Sequence, residues 1–493
     1  MTSPVQIPFD NTYARLPDGF FAPAQLTPVA APRLIKINTA LADELGLDAA
    51  ALATPEAVEM FAGSRVPPGA EPIALAYAGH QFGQFVPQLG DGRAVLLGEV
   101  IDRTGARRDI QLKGSGPTAF SRRGDGRSAL GPVLREYLIS EAMAALGIPT
   151  TRTLAAVTTG EPVWRERSLP GGVLARVAAS HIRIGTFQFF AARKESEALR
   201  RLADYTIARH YRELAGARRP YAALLEAVME RQAQLVARWQ LVGFIHGVMN
   251  TDNMSVAGET IDYGPCAFMD AYHPSTVFSS IDAMGRYAYK NQPQIAHWNL
   301  ARFAECLVPL LSEDRAAGVE EANTLLGTFP ARFEAAHHAG LLAKIGLPGG
   351  TAEDVALALD LLAVMKDSKA DFTLAFRNLS AAAGDDGATA ALRDLFLNRE
   401  ALDAWLIGWR ARLAASGRAP AEIRACMEQV NPRFVPRNHL VEWALEAAVD
   451  QGDFGPFEEL LGVIQHPFEE QPRFSSYAAL PPDMRDYQTF CGT

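Results

Sequence analysis

The chain has few cysteines, and they are scattered. Cys266, Cys306, Cys426 and Cys491 are spread over 493 residues with no CxxC pair, which excludes a disulfide scaffold and a structural zinc site. No run reaches the roughly 18 apolar residues of a membrane span. Met1 to Asp10 lack the charged start and apolar run of a signal peptide. Surplus positive charge is missing too. The 47 Lys and Arg face 56 Asp and Glu, a net charge of −9, whereas a general nucleic-acid binder carries a basic footprint. The expectation is a soluble, cytoplasmic protein without a membrane or nucleic-acid partner. A local cluster of Arg and Lys is still enough to hold a nucleotide. The 48% hydrophobic and 21% charged content suits a globular enzyme, and the length allows two to four domains.

Along the chain, residues 1–75 are rich in Pro and Ala, with one helical stretch expected at 34–45, and read as an extension packing on the core of the protein. The runs 94–100 and 108–113, joined by Arg103-Thr104-Gly105, predict an antiparallel hairpin, so Lys113 ends a strand. A helix comes next, with Pro132 in its first turn, Gly147 at its end, and Leu134, Leu138, Ala142 and Leu146 on one stripe. Strands are expected at 153–158 and 172–177, and helices at 199–214, 221–242 and 298–311. Beyond residue 300 the chain reads as almost all helix, for instance 352–365, 401–414 and 438–450. The fold class is α+β: an extension (1–75), a mixed first lobe (76–185), a second lobe (186–300) and a helical region with a cysteine-containing tail (301–493).

The richest chemistry lies in Phe244-Ile245-His246-Gly247-Val248-Met249-Asn250-Thr251-Asp252-Asn253 and Ile261-Asp262-Tyr263-Gly264. Asn253 and Asp262, the latter expected on a short strand, offer oxygen atoms to a divalent metal, and Asp252 can take a proton. Protein-kinase-like folds build the metal half of an ATP site this way; a polar hairpin with Asx turns would look similar. Lys113 at a strand end and Glu136 on the next helix have the spacing of a phosphate-binding lysine and its orienting carboxylate, although most such residues are simply solvated. Glycine loops at Gly90-Asp91-Gly92-Arg93 and 114–126 bring backbone amides to phosphate oxygens or merely make tight turns. They are not a Walker A loop, and Ala119 stands where a dinucleotide fingerprint needs glycine. Arg176 and Arg183 flank Ser180-His181; their guanidiniums suit phosphate or a structural ion pair. His246 reads as a brace, and Arg437-Asn438-His439 as packing or as part of an acceptor site.

The chain resembles the selenoprotein O family over nearly its whole length. The matching segments are Tyr77-Ala78-Gly79-His80-Gln81-Phe82-Gly83, Gln111-Leu112-Lys113-Gly114-Ser115-Gly116, His246 to Asn253 with Asp262-Tyr263-Gly264-Pro265, Gly285-Arg286-Tyr287-Ala288-Tyr289, and Asn431-Pro432 with Arg437-Asn438-His439. That resemblance implies a two-lobed, protein-kinase-like (pseudokinase) fold and transfer of AMP from ATP to Ser, Thr or Tyr hydroxyls of proteins. In small-molecule kinases the base precedes the metal-binding Asn by five residues; here that position is Val248. The resemblance implies Asp252 as base instead, with Asn253 and Asp262 binding Mg2+ or Mn2+. It also implies an inverted ATP whose terminal phosphates meet Lys113, Arg176 and Arg183, with Lys113 paired to Glu136. Gly90, Gly92, Arg93, Asp125 and Gly126 would line the pocket. A redox-sensitive bridge between Cys266 and Cys491 is implied for some members, against two free thiols. UMP transfer, an atypical kinase moving the γ-phosphate, and a catalytically inactive nucleotide-binding scaffold remain the rivals.

Overall fold

Side chains alternate across a strand, and in this chain the alternation separates a core face from a site face. On the strand Arg107–Lys113, Ile110 and Leu112 enter an apolar cluster while Gln111 and Lys113 point the other way. On Ser168–Ala178, Val173, Ala175 and Val177 join that same cluster; Leu174 packs on the opposite face, and Arg176, two residues on, shares it. The computed structural model describes residues 5–481 and 487–489. Cys491, and with it any pairing to Cys266, lies outside the described residues.

These strands belong to an eight-stranded antiparallel sheet in the order Phe21–Pro23, Ile73–Leu75, Ala94–Ile101, Arg107–Lys113, Ser168–Ala178, Arg152–Trp164 and Arg33–Ile37, with Ser128–Ala129 paired to Ser168–Ala178 off this path. The expected hairpin is present, Ala94 opposing Lys113 and Ile101 opposing Arg107. Three of the strands come from the first 75 residues, so this segment is built into the sheet and does not merely lie on it. The stretch 34–45 is not one helix. Leu34, Ile35 and Ile37 favour an edge strand, and Asn38 then accepts from Leu41 N to cap the helix Thr39–Glu44. Leu41, Val58 and Phe61 cover one sheet face. The other is covered by the helix Leu130–Ala145 through Val133, Leu134 and Leu138. Gly147, at φ +73, ends this helix as expected.

The helix Pro220–Leu241 leads into the short strand Phe244–Ile245, which pairs with Ala267–Phe268. Between those strands the chain is loop apart from one tight turn at Thr251–Asn253. No strand carries Asp262; its φ is +65, in the left-handed region that a non-glycine residue rarely adopts. His246 is fully buried and braces the loop, its Nε2 donating to the Ile261 carbonyl at 3.0 Å.

After residue 300 the chain is helical, with two destinations. Phe329–Lys344, Ala352–Ser368, Phe372–Gly384, Arg399–Ala415 and Pro420–Glu428 surround a second core containing Phe376, Trp405 and Trp409. Asn438–Gln451 and Gly455–Ile464 return to the first core, where Phe457 meets Tyr137 edge-on at 5.6 Å. Arg437, buried, anchors that return by bonding Asp371 and Asp270 at 2.7 Å each. None of the described helices is long and apolar enough to cross a membrane.

The second core contains one costly group. Lys344 is 3% exposed, has no carboxylate partner among the described residues, and rests its ammonium 4.3 Å from the Phe376 ring centroid. Burial pushes its pKa down to about 7. The unfolded chain therefore binds this proton more readily than the folded one between pH 7 and the ordinary lysine value, and stability rises with pH across that window. Lys344→Met should raise the melting temperature, by more at pH 7 than at pH 9.5. Thermal melts at the two pH values check this, and a lower melting temperature at both contradicts it.

Candidate active site

The site centres on the Asp262 carboxylate, which three cationic side chains share. Arg176 Nη1 donates to Oδ1 at 2.7 Å, Arg183 Nη1 to Oδ2 at 2.7 Å, and Lys113 Nζ lies 3.3 Å from Oδ1. The three cations come from different places: two sheet strands and Arg183, immediately before the helix Ile184–Arg193. Burial works against charge on Asp262, but Arg183, Arg176 and Lys113 outweigh it and hold the carboxyl well below the usual range. Glu136, reaching in from the helix Leu130–Ala145, bonds Lys113 at 2.5 Å and Arg176 at 3.1 Å. The pair expected from sequence is therefore formed.

Sequence reasoning assigned no role to the residues that aim these cations. Gln111 Oε1 accepts from Arg176 Nη2 at 2.7 Å and Nε at 3.2 Å, so one edge of the guanidinium is clamped and the other faces the site. Gln111 Nε2 in turn donates to Asp91, a buried carboxylate 3.8 Å from Arg183. Arg183 also stacks on Tyr77 at 4.6 Å and donates to the Asp252 carbonyl at 2.6 Å. The available signal was period two: Gln111 shares a strand face with Lys113.

Asp252 and Asn253 lie on the tight turn Thr251–Asn253. Asn250 ties this turn to the rest of the site by accepting from Phe82 N at 3.0 Å and Tyr287 Oη at 2.6 Å. Gln81 Nε2 donates to Asp252 Oδ2 at 3.2 Å, while Oδ1 is buried without a partner. A Cβ on Gly79 would stand 2.5 Å from that Oδ1, so only glycine leaves room for the carboxylate. Burial pushes the Asp252 carboxyl up to about 6, against the pull of Arg183. Asn253 donates Nδ2 to the Val248 carbonyl at 3.0 Å, so a cation there would meet its Oδ1. Asn253 and Asp262 offer oxygen atoms only, the donor type that a hard divalent cation such as Mg2+ takes.

The remaining expected residues are not bonded to the cation cluster. Arg93 lines a cavity of about 450 Å3 together with Lys113, Glu136, Glu442, Leu445 and Val449. That volume suits a small-molecule ligand. At Gly90 and Gly92 a Cβ would collide with Phe120, and at Gly126 with the backbone of Gly116, so the loop's own packing already requires glycine there. Asp125 is exposed and pairs with Arg165 at 2.9 Å. Cys266 is buried, and burial pushes its thiol up to about 11.

A family model described as protein adenylyltransferase SelO matches residues 4–465. A protein nucleotidyltransferase YdiU of Bradyrhizobium diazoefficiens is 64% identical over 490 residues, covering 99% of this chain and 100% of the relative. The protein of the same name from Rhodopseudomonas palustris strain BisB5 matches equally, at 64% over 490 residues with the same coverage. That from Methylorubrum populi is 62% identical over 493 residues, 99% of each chain.

Removing the shared carboxylate leaves three cations facing one another. Asp262→Ala is expected to lower stability by about 3–5 kcal/mol. Pyrophosphate should recover part of that loss by binding the freed cations. Thermal melts with and without pyrophosphate check both effects. A variant that melts like the wild type and ignores pyrophosphate contradicts this charge balance.

Proposed function

The chain belongs to the SelO protein adenylyltransferase family, and we propose that it transfers AMP from ATP to Ser, Thr or Tyr hydroxyls of proteins, releasing pyrophosphate. One observation carries the reading. Three cations converge on a single site beside a buried carboxyl whose pKa of about 6 and one unpartnered oxygen suit a general base. In this reading the sheet with the helix Leu130–Ala145 is the first lobe of a kinase-like fold, and the helices from Ile184 onward begin the second.

The terminal phosphates of ATP take the place that Asp262 holds among the cations, so the nucleotide enters inverted and presents its α-phosphorus to Asp252. Gln111 keeps Arg176 oriented during the exchange, and Tyr77 keeps Arg183 flat. Asp252 Oδ1 takes the proton of the acceptor hydroxyl. The hydroxyl oxygen forms a bond to the α-phosphorus; the bond to the bridging oxygen breaks, and its electron pair leaves with pyrophosphate. Lys113, Arg176 and Arg183 stabilise the charge that grows there. A divalent cation held by Asn253 and Asp262 would polarise the phosphate oxygens. A Cys266–Cys491 bridge remains part of the proposal as a redox control.

ATP labelled at the α- or the γ-phosphate, incubated with Mg2+ and protein acceptors, tests the reading. Retention of the α-label alone is expected. Asp252→Ala should lower the rate by about 10²–10⁴-fold. Wild-type activity should rise with pH through about 6, as the Asp252 carboxyl loses its proton. Retention of the γ-label alone would identify a kinase and overturn the proposal.

A further inference from the structure

Beside the base lies a surface that the chemistry above does not use. The hairpin of Gly79–Gln81 and Gln84–Val86 holds Asp252 on one side, through Gln81, and carries His80 and Phe85 on the other. Phe85 is 40% exposed and its ring lies 4.9 Å from that of His80. His80 meets the half-buried Trp298 edge-on at 5.2 Å. Two guanidiniums flank that indole, Arg286 at 4.9 Å and Arg302 at 5.0 Å from its centroid. The patch is therefore continuous from the base outward.

The two arginines are poorly compensated. Arg286 stacks on Trp298 and on Tyr287 and forms no ion pair among the described residues. Among the described residues Arg302 has only Glu305, one turn along its own helix at 2.6 Å and itself 59% exposed, a pairing of the kind that contributes little. The Nε of each guanidinium is buried without a partner, so a carboxylate is gripped in bidentate fashion by the two Nη groups at its end. From Trp298 the helix Gln292–Leu311 presents Arg302, Glu305 and Pro309 at intervals of three to four residues, which is one helix face. That face, continued by Ser312, lines a groove of about 830 Å3.

We propose that this patch docks the acceptor polypeptide, and that it selects a segment carrying an acidic side chain close to the modified hydroxyl. The inference rests on the proposed transfer to protein hydroxyls. Phe85, His80 and Trp298 supply apolar contact, Arg286 and Arg302 take the carboxylate, and the groove along the helix takes the chain beyond. A single-stranded nucleic acid also stacks on aromatic and arginine faces, but its many phosphates would approach a protein of net charge −9.

The test measures binding and transfer separately. Fluorescein-labelled peptides with one Ser flanked by Glu, and the same peptides with Lys in place of Glu, are titrated by anisotropy against the full chain. Wild type is expected to bind the Glu peptide more tightly. Arg286→Glu should weaken that binding by at least about tenfold and invert the preference, with the melting temperature and the affinity for ATP unchanged. Arg286→Gln, which keeps the size and a donor, should lose the preference without inverting it. Equal binding of the two peptides to wild type, or an Arg286→Glu variant that folds and keeps the preference, overturns the proposal. So does Arg286-dependent binding of single-stranded RNA in place of the Glu peptide. Transfer of α-label to the bound peptides is followed in parallel. Its absence while Arg286-dependent binding persists would sink the catalytic reading and leave the docking surface standing.

Discussion

Three cations held on one carboxylate is an arrangement that cannot be altered at one point alone. Lys113 comes from a strand some way back in the chain, Arg176 and Arg183 from a strand and the helix start just after it, and without an anion between them they would repel one another. Asp262 supplies that anion, and its left-handed backbone, φ +65, is the local strain accepted to bring the carboxylate there. Around it, Glu136 balances Lys113 and Arg176, while Asp91 and Gln111 fix the guanidiniums from behind. A ligand that replaces the carboxylate must carry comparable negative charge and accept the same directions of approach. Terminal phosphates of a nucleotide meet both conditions.

The same economy governs the proposed base. Asp252 is near the cations, yet its carboxyl is pushed up to about 6 because burial outweighs the attraction of Arg183, whose nearest contact is to the backbone carbonyl and not to the carboxylate. Two acids ten residues apart are thus driven in opposite directions. Asp262 is held ionised by direct cation contacts; Asp252 is left able to exchange a proton near neutrality. In the proposed mechanism this separation gives one acid to charge balance and the other to proton transfer.

Much of this arrangement was legible in the sequence, for physical reasons. The hairpin, the long helix and the Lys113–Glu136 pairing follow from periodicity and from turn and capping residues, all local signals. The family resemblance implied Lys113, Arg176 and Arg183 on the terminal phosphates and Asp262 on a metal; the direct bonding of Asp262 to those cations was not legible, because no local rule joins a strand, a helix start and a loop. Gln111, Asp91 and Gln81 stayed without a role because an uncharged amide, or an acid inside a glycine turn, carries no chemistry until its partners are seen. The stretch 34–45 misled because its apolar residues suit either period, and only Asn38 marks where strand gives way to helix. The last helices gave no hint that 438–464 would return to the first core, since an apolar helix face does not name the surface it covers.

The most direct test of the central claim is a structure of the full chain with Mn2+ and a non-hydrolysable ATP analogue. The account predicts the β- and γ-phosphates among Lys113, Arg176 and Arg183, with the α-phosphorus facing Asp252 Oδ1. A γ-phosphate facing Asp252, with the base of the nucleotide deep in the cavity beside Arg93 and Lys113, would contradict it.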